Sequence, residues 1–421
     1  MYYIRLKNNL QPIVKEKLSL KQKVKHIIME QVDLSREVED ETILELIDEV
    51  LLEEESVKGV SLKEKLQLQR EIFNGIRRLD VLQELIESET ITEIMINGID
   101  NIFVEETGKL RRWHQSFESK EKLEDIIQQI VSKVNRIINE ANPIVDVRLL
   151  DGSRVNVVLP PVAINGPIVT IRKFPSEPIT IETLLETGSI TNDVVNFLKK
   201  LVVAKYNIFI SGGTGSGKTT FLNVLSNFIP EEERIITIED SAELQIRNIP
   251  NLVRLETRNA NVEGENAITI RNLIKSSLRM RPDRIIIGEV RDTAAIDMLN
   301  ALNTGHDGSL STGHGNSTHD MLSRLETLVL MGMDIPLLAV RRQIASAIDI
   351  VIHLGRLRDK SRKILEVAEI VDFKDGEILI NPLYQFQEDG MKKGKITGKL
   401  AKTQYSLTNI EKLERAGISM E

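Results

Sequence analysis

The chain has 421 residues, of which 41% are hydrophobic and 28% charged, so it is long enough for two or three domains with ordinary globular cores. It contains no cysteine, which excludes disulfides and thiolate metal sites and favours a reducing cytoplasm. No apolar run of about eighteen residues and no signal-peptide pattern is found, and the net charge of −8 argues against general affinity for nucleic acids.

The first 88 residues predict an N-terminal helical region. Segments 12–31, 38–57 and 61–88 carry apolar residues at helical spacing, separated by charged stretches. We interpret this region as a solvated helical bundle, and a docking module for a partner is the alternative.

Residues 89–175 change to short β-rich segments and predict a small, PAS-like α+β domain with a mostly antiparallel sheet. Asp151-Gly152 between two of the segments is a strong hairpin signal. A helix over about residues 119–141 interrupts the strands. Residues 176–190 have little periodicity and predict a linker.

Residues 191–385 alternate helical patterns with apolar strands, which predicts βαβ units and an α/β fold with a parallel sheet. The strands are NIFISG, RIITIED, NLVRLE, RIIIGEV and SLSTGH, with closing strands after about residue 349. The lysine-rich residues 386–421 predict a flexible solvated tail, and a specific anion site is the alternative.

A phosphate-binding loop is the strongest motif, because Gly212–Thr219 reads GGTGSGKT between a buried strand and an amphipathic helix. Its amides and the helix N-terminus would form an anion site, with Lys218 reaching the β- and γ-phosphates and Thr219 reaching Mg²⁺. A glycine-rich turn without a ligand is the alternative. The candidate nucleotide-binding residues are Gly212, Gly213, Thr214, Gly215, Ser216, Gly217, Lys218, Thr219 and Thr220.

Acidic residues follow two of the strands that come after this loop. Glu239 and Asp240 end RIITIED, with Glu243 three residues on, and Glu289 follows RIIIG. In a parallel sheet these strand ends share the edge that carries the loop. One carboxylate could then orient or deprotonate the attacking water while the other holds Mg²⁺ through water. Taken singly, each could be only a cap or turn residue.

Two histidines, His306 and His314, lie eight residues apart in the Gly/Ser/Thr-rich segment TGHDGSLSTGHGNST. Together with Asp307 they are too few for a zinc site. We interpret them as part of a polar relay between the γ-phosphate and the subunit surface. Ser311, Thr312 and Asn316 could join that relay.

These motifs, in this order, resemble the secretion and type IV pilus traffic ATPases. TIEDSAEL resembles that family's Asp box, LRMRPDRIIIGEVRD its Walker B region, and TGHDGSLSTGH its His box. Upstream, TITEIMINGIDNIFVEETGKL, IVDVRLLDGSRVNVVLPP and VTIRKF resemble the CpaF/TadA branch, the motor of tight-adherence (Flp) pili.

The resemblance implies a RecA-like ATPase domain that uses ATP and Mg²⁺. It implies that Glu239 helps to place Mg²⁺ and water, that Glu289 is the general base, and that His314 senses the γ-phosphate. It further implies that Arg172 and Arg154 correspond to arginines of the N-terminal domain that lean over the phosphates. Arg279 and Arg281 resemble arginines beside Walker B, with plain salt bridges as their alternative role.

The resemblance also implies a hexameric ring at the cytoplasmic face of the membrane, bound to polytopic platform proteins of the inner membrane, without direct nucleic-acid binding. Three alternatives remain: a RecA-like nucleic-acid motor, a conjugation-type secretion ATPase and a nucleotide-dependent scaffold without turnover. The acidic balance and low aromatic content disfavour the first of these. The presence of both Glu239 and Glu289 disfavours the last.

Overall fold

The computed structural model describes residues 21, 23–31, 38–53, 61–106, 108–134, 136–149, 151–174, 177–258, 260, 265–392 and 394–419. Internal contacts divide the chain into two units, Met1–Pro175 and Ser176–Glu421. Parts of the predicted helical segments 12–31 and 38–57 lie outside the described residues. None of the helices in the described ranges combines the length and the apolarity needed to cross a bilayer.

The first unit begins with helices that share one small core. They are α1 (residues 23–31), α2 (Asp40–Glu53), α3 (Leu62–Arg77) and α4 (Val81–Glu87). Helix α3 begins at Ser61, which forms a capping box with Glu64. Its buried face includes Leu68 and Ile72, which pack against Ile43 and Ile47 of α2. The 3.6-residue apolar spacing of the sequence therefore does form a helical bundle here.

The same unit contains a six-stranded sheet in which every pair of neighbouring strands is antiparallel, as predicted. Its order is β3-β2-β1-β6-β5-β4, and helix α5 is inserted between β3 and β4. Asp151-Gly152 turns the β4–β5 hairpin, in which Asp151 accepts the Ser153 amide at 2.9 Å. The elements are β1 (Ile91–Asn97), β2 (Ile102–Glu106), β3 (Lys109–Arg112), α5 (Lys120–Ser132), β4 (Ile144–Arg148), β5 (Arg154–Val158) and β6 (Ile168–Arg172).

Helix α5 ends well before residue 141, where the sequence analysis placed its end. The Asn139 side chain accepts the amides of Ala141 and Asn142, and Pro143 follows. A side chain that bonds to nearby backbone amides in this way competes with helix formation. The helical bundle and the α+β domain also touch each other, because Lys122 donates to the carbonyl oxygen of Gly75 at 2.9 Å.

The second unit is built on a nine-stranded sheet of order β15-β14-β13-β12-β7-β11-β10-β8-β9. The six strands from β12 to β9 are parallel, and β13–β15 continue the sheet in antiparallel order. The parallel part comprises β7 (Ile208–Gly212), β8 (Ile235–Glu239), β9 (Leu252–Glu256), β10 (Arg284–Ile287), β11 (Leu310–His314) and β12 (Ile350–Arg356). The antiparallel part comprises β13 (Arg362–Lys374), β14 (Glu377–Lys392) and β15 (Lys395–Lys402).

Helices cover both faces of this sheet, so β7, β8 and β10 are buried along their whole length. Ile208 and Ile210 belong to the core on one face, while Phe209 belongs to the core on the other. The helices of the second unit are α6 (Ile181–Glu186), α7 (Asn192–Val203), α8 (Lys218–Ser226), α9 (Ile270–Ser277), α10 (Ala294–Leu302), α11 (Thr318–Gly332), α12 (Leu337–Ala347) and α13 (Glu411–Arg415).

Two segments expected to lack regular structure are folded. The predicted linker 176–190 contains α6, in which Ile181 and Leu184 pack against the core. The prediction of a flexible tail over 386–421 is wrong, since β14, β15 and α13 occupy most of it. In β15 the exposed lysines alternate with the buried Ile396 and Leu400, so the lysines mark the solvent face of a strand.

Candidate active site

The phosphate loop, Gly212–Thr219, connects β7 to α8 at the carboxyl end of the parallel strands. Gly217 caps α8 with φ = 95°, a left-handed backbone that a residue with a side chain would strain. Thr219 and Thr220 stand in the first turn, whose amides have no intrahelical acceptor and carry the positive end of the helix dipole. The loop therefore has the conformation of an anion site, as its motif predicts.

The Lys218 ammonium is buried and points back onto the loop. It donates to the carbonyl oxygens of Gly212 and Gly213, both at 3.1 Å, and lies 3.3 Å from Nδ1 of His314. The register of β11 on β7, which puts His314 opposite Gly212, creates that last contact. An ammonium only donates, so Nδ1 accepts and Nε2 carries the ring proton. Burial lowers the pKa of Lys218, so a negative ligand beside it would stabilise its charged form.

Glu289, immediately after β10 and Gly288, continues this polar chain. Its Oε1 lies 2.7 Å from Nε2 of His314, and its Oε2 accepts from Arg291 at 2.7 Å. Burial, and then the neighbouring Lys218 charge, lower the pKa of His314. The imidazole is therefore neutral near pH 7, in agreement with the tautomer that its contacts require. The contacts Lys218–His314–Glu289–Arg291 connect the loop to the carboxylate that follows β10.

Glu239 ends β8 and is 2% exposed. Its Oε2 accepts the amides of Glu243 at 2.7 Å and Leu244 at 2.9 Å, whereas its Oε1 has no hydrogen-bond partner among the described residues. Burial raises the pKa of this carboxyl to about 7 in spite of the two amides. A Cβ at Gly288 would stand 3.0 Å from the Glu239 Cγ, so the glycine of the Gly-Glu pair leaves room for this side chain.

The structure separates several residues that the sequence analysis grouped. His306 lies before β11, at the opposite end of that strand from His314, and its Nδ1 lies 3.1 Å from the carbonyl oxygen of Ala301. Asp307 is bound by Lys412 at 2.8 Å. A relay that includes both histidines is therefore wrong. Thr312 does belong to the site, because its hydroxyl donates to the carbonyl oxygen of Gly288 at 2.6 Å.

The four candidate arginines lie in different parts of the chain. Arg279 and Arg281 precede β10 and are exposed at its amino end, on the edge opposite the loop. Arg154 and Arg172 belong to the first unit, where they face each other across the β5–β6 ladder. Arg172 is exposed, with its Nε 4.0 Å from Glu93, and its action on nucleotide stays a prediction.

Residues from later in the chain also border the loop, and the sequence analysis missed them. Arg362 of β13 donates from Nε to the carbonyl oxygen of Gly215 at 2.8 Å. In addition, Nδ1 of His353 in β12 lies 3.3 Å from the hydroxyl of Ser211, the residue before the loop. The sequence analysis also missed Arg291, which could have been found because it stands two residues after Glu289. Arg362 and His353 reach the loop only because β12 pairs with β7.

A parallel sheet with a phosphate loop and two acidic strand ends at one edge defines the chain as a RecA-like nucleotide-hydrolysing enzyme. Comparison with known proteins then gives the family. Residues 77–408 match the family model described as "Type II/IV secretion system protein". The chain belongs to this family and is an ATPase.

Individual relatives agree with that assignment. A putative conjugal transfer protein of Mycobacterium tuberculosis is 34% identical over 294 residues, which cover 68% of this chain and 83% of the relative. The conjugal transfer protein TrbB of Rhizobium radiobacter is 31% identical over 314 residues, covering 74% and 93%. The crystal structure of the pilus retraction motor PilT with bound ADP has a TM-score of 0.51 at 18% identity, covering 80% of this chain and 87% of that one. This last likeness supports the fold.

Proposed function

We propose that this ATPase binds Mg²⁺ and ATP at residues 212–220 and that its turnover drives the assembly of a tight-adherence (Flp-type) pilus from the cytoplasmic face of the membrane. The observation that carries the nucleotide part is the contact chain from Lys218 through His314 to Glu289 at the phosphate loop. The pilus branch is supported by the CpaF/TadA-like segments of the first unit.

ATP binding would transfer the Lys218 ammonium from two loop carbonyls to the phosphate chain. The available donors fit Mg²⁺, which prefers oxygen ligands and keeps several waters. They are the Thr219 hydroxyl and the Glu239 carboxylate, one oxygen of which lacks a partner among the described residues. Bound Mg²⁺ would neutralise charge on the phosphates. Glu239 would have to be ionised to assist.

Glu289 is the best candidate for the general base. Its carboxylate is positioned by Arg291 on one oxygen and lies beside His314 on the other, so its orientation is set before substrate arrives. His314 touches both Lys218 and Glu289, which gives it the position of a γ-phosphate sensor. It would report the displacement of Lys218 directly to the base.

Calorimetric titration of the Lys218→Ala variant with Mg²⁺ and a slowly hydrolysed ATP analogue tests the site. We expect tight binding to be lost, because the ammonium that contacts the Gly212 and Gly213 carbonyls is removed. Lys199→Ala is the matched control, since Lys199 is exposed on α7 away from the loop. Affinity equal to that of the native protein in Lys218→Ala would contradict the proposal.

A conjugation-type secretion ATPase is the second candidate, because relatives at 31–34% identity are named as conjugal transfer proteins. A deletion strain separates the two candidates. Loss of surface pili in electron micrographs, with plasmid transfer unchanged, is expected for the pilus motor, and the reverse favours conjugation. Turnover stimulated by added DNA would favour the nucleic-acid motor instead.

We also propose a hexameric ring that contacts polytopic platform proteins, with Arg172 and Arg154 completing the site on bound nucleotide, on the family resemblance alone. Mass photometry with and without a non-hydrolysable analogue tests the ring. Arg172→Ala should bind nucleotide and turn it over about 10²-fold more slowly or worse, as for loss of an arginine finger. A fully active monomer with an unaffected Arg172→Ala variant would rule the mechanism out.

A further inference from the structure

The hairpin of β12 and β13 brings two arginines to the phosphate loop within the second unit. Strand β12 pairs with β7 so that Leu354 lies opposite Gly212, the first residue of the loop. Two residues later Arg356 ends the strand, and Arg362 begins the returning β13. The hairpin therefore runs past the phosphate loop twice, and each pass brings one of the two arginines beside it.

Both arginines stand beside the loop glycines. Arg362 donates from Nε to the Gly215 carbonyl at 2.8 Å, and its Cδ lies 3.5 Å from the point where a Cβ on Gly217 would stand. The Nη1 of Arg356 lies 4.0 Å from the corresponding point on Gly215. The two arginines therefore border the same loop that the Lys218 ammonium contacts.

The two exposed arginines also carry like charges at opposing positions of the strand pair. Arg356 and Arg362 are direct partners in the ladder, and like charges placed opposite each other destabilise a sheet. Within the described part of the chain, neither arginine forms an ion pair with a carboxylate. Arg358, in the same hairpin, does pair with Glu388, its Nη1 lying 2.8 Å from Oε2. Arg358 is therefore paired within the hairpin, whereas Arg356 and Arg362 have no carboxylate partner among the described residues.

The hairpin is held firmly enough to position them. Asp359 accepts the Ser361 amide at 3.0 Å and the Ile396 amide at 2.7 Å, which fixes the turn against β15. Next to Arg362, the Lys363 ammonium donates to the Thr187 carbonyl at 3.0 Å. Because the backbone of the strand pair is fixed, only side-chain freedom is lost when these arginines bind a ligand.

We propose that Arg356 and Arg362, the arginine pair, bind the phosphate chain of the nucleotide held by the loop. Guanidinium groups match phosphate oxygens as planar, bidentate donors, and a phosphate anion between them would remove the like-charge repulsion. This inference rests on the proposed nucleotide site. It adds two cations from the same unit as the loop, separate from the proposed role of Arg172.

Calorimetry on the double variant Arg356→Gln/Arg362→Gln tests binding. With Mg²⁺ and ADP or ATPγS, we expect an affinity loss of about tenfold or more, because two charge-assisted contacts disappear. The control Arg358→Gln should stay within about twofold of the native protein, because it breaks only an exposed ion pair with Glu388. Lys218→Ala is measured in parallel. If Lys218→Ala loses binding while the double variant binds normally, the proposed role of the arginine pair is wrong and the nucleotide site stands. If Lys218→Ala binds normally, the proposed nucleotide site itself is wrong.

Thermal unfolding of Arg356→Gln separates a binding role from a structural one. Without nucleotide, the apparent Tm should be unchanged or higher, since one of two opposed like charges is gone. At the same ADP concentration, the rise in Tm should be smaller, because a ligand with a weaker affinity for the folded state stabilises it less. A lower Tm without nucleotide, combined with an unchanged rise, would overturn the proposal.

Discussion

The two ends of the parallel sheet bury charged groups in opposite ways. At the amino end, Arg284 of β10 is fully buried and binds both oxygens of Glu233, at 2.6 and 2.8 Å, while also donating to the carbonyl oxygen of Val202 at 2.6 Å. At the carboxyl end, Glu239 Oε1 and the Ser216 hydroxyl have no partner in the described structure, and the same holds for the hydroxyl of Thr237 in the middle of β8. Among the described residues, the Arg284–Glu233 pair is satisfied internally, whereas Glu239 Oε1 and the Ser216 hydroxyl are not.

The difference teaches where to look for function. A buried polar atom without a partner is destabilising, so it persists where a ligand supplies the partner. Glu239 and Ser216 stand at the strand end and loop that the motif marks as a nucleotide site. The Arg284–Glu233 pair, equally buried and charged, then serves the fold. The predictions below contrast the two ends.

Breaking the pair at the amino end should cause the largest loss of stability. Glu233→Gln leaves the buried Arg284 charge without its carboxylate and should lower the free energy of unfolding by about 3–5 kcal/mol. Denaturant titration measures this, with the exposed Glu231→Gln as control. Nucleotide affinity of the folded variant should be unchanged. A loss of unfolding free energy below about 1 kcal/mol would mean that the Glu233 carboxylate is not what stabilises the buried Arg284 charge.

Substitution of Glu289, at the carboxyl end of the sheet, should reduce turnover rather than stability. Glu289→Gln keeps the size and hydrogen bonding of the side chain but cannot accept a proton. We expect ATP binding to be retained and turnover to fall by about 10²-fold or more. Steady-state hydrolysis and calorimetry on the same preparation measure both quantities. If Glu289→Gln turns over normally and Glu239→Gln does not, the base assignment is reversed.

Two isosteric substitutions, with smaller expected effects on stability, compare a buried hydroxyl that lacks a partner with one that has a partner. Thr237→Val removes a buried hydroxyl that has no partner among the described residues, so stability without nucleotide should stay equal or increase. Thr312→Val removes a hydroxyl that donates to Gly288 at 2.6 Å and should destabilise by about 1 kcal/mol. Chemical denaturation of both variants decides it. Equal losses would show that the Thr237 hydroxyl is satisfied after all.

Sequence reasoning found the parts of this site that are local in the chain. The phosphate loop, Glu239 and Glu289 each sit at the end of an apolar strand, and parallel pairing brings such ends to one edge. It missed the arginine pair and Glu233–Arg284, since their partners lie 51 or more residues away and meet only through sheet order. It took β15 for a tail because lysine composition concealed an alternating strand pattern.

The charge state of Glu239 tests the central claim most directly. With a pKa of about 7, this carboxyl is half protonated at pH 7, and a protonated carboxyl cannot assist Mg²⁺. Binding of Mg²⁺ and ATPγS should therefore release about half a proton at pH 7, more at pH 6 and little at pH 8. Affinity should strengthen as the pH rises through 7.

Calorimetry in buffers of different ionisation enthalpy measures that release, and Glu239→Gln serves to subtract protons from other groups. The account predicts that the native protein releases about half a proton more than Glu239→Gln at pH 7. Equal release by the two proteins, with equal pH dependence of affinity, would show that the buried carboxylate is not part of the nucleotide site.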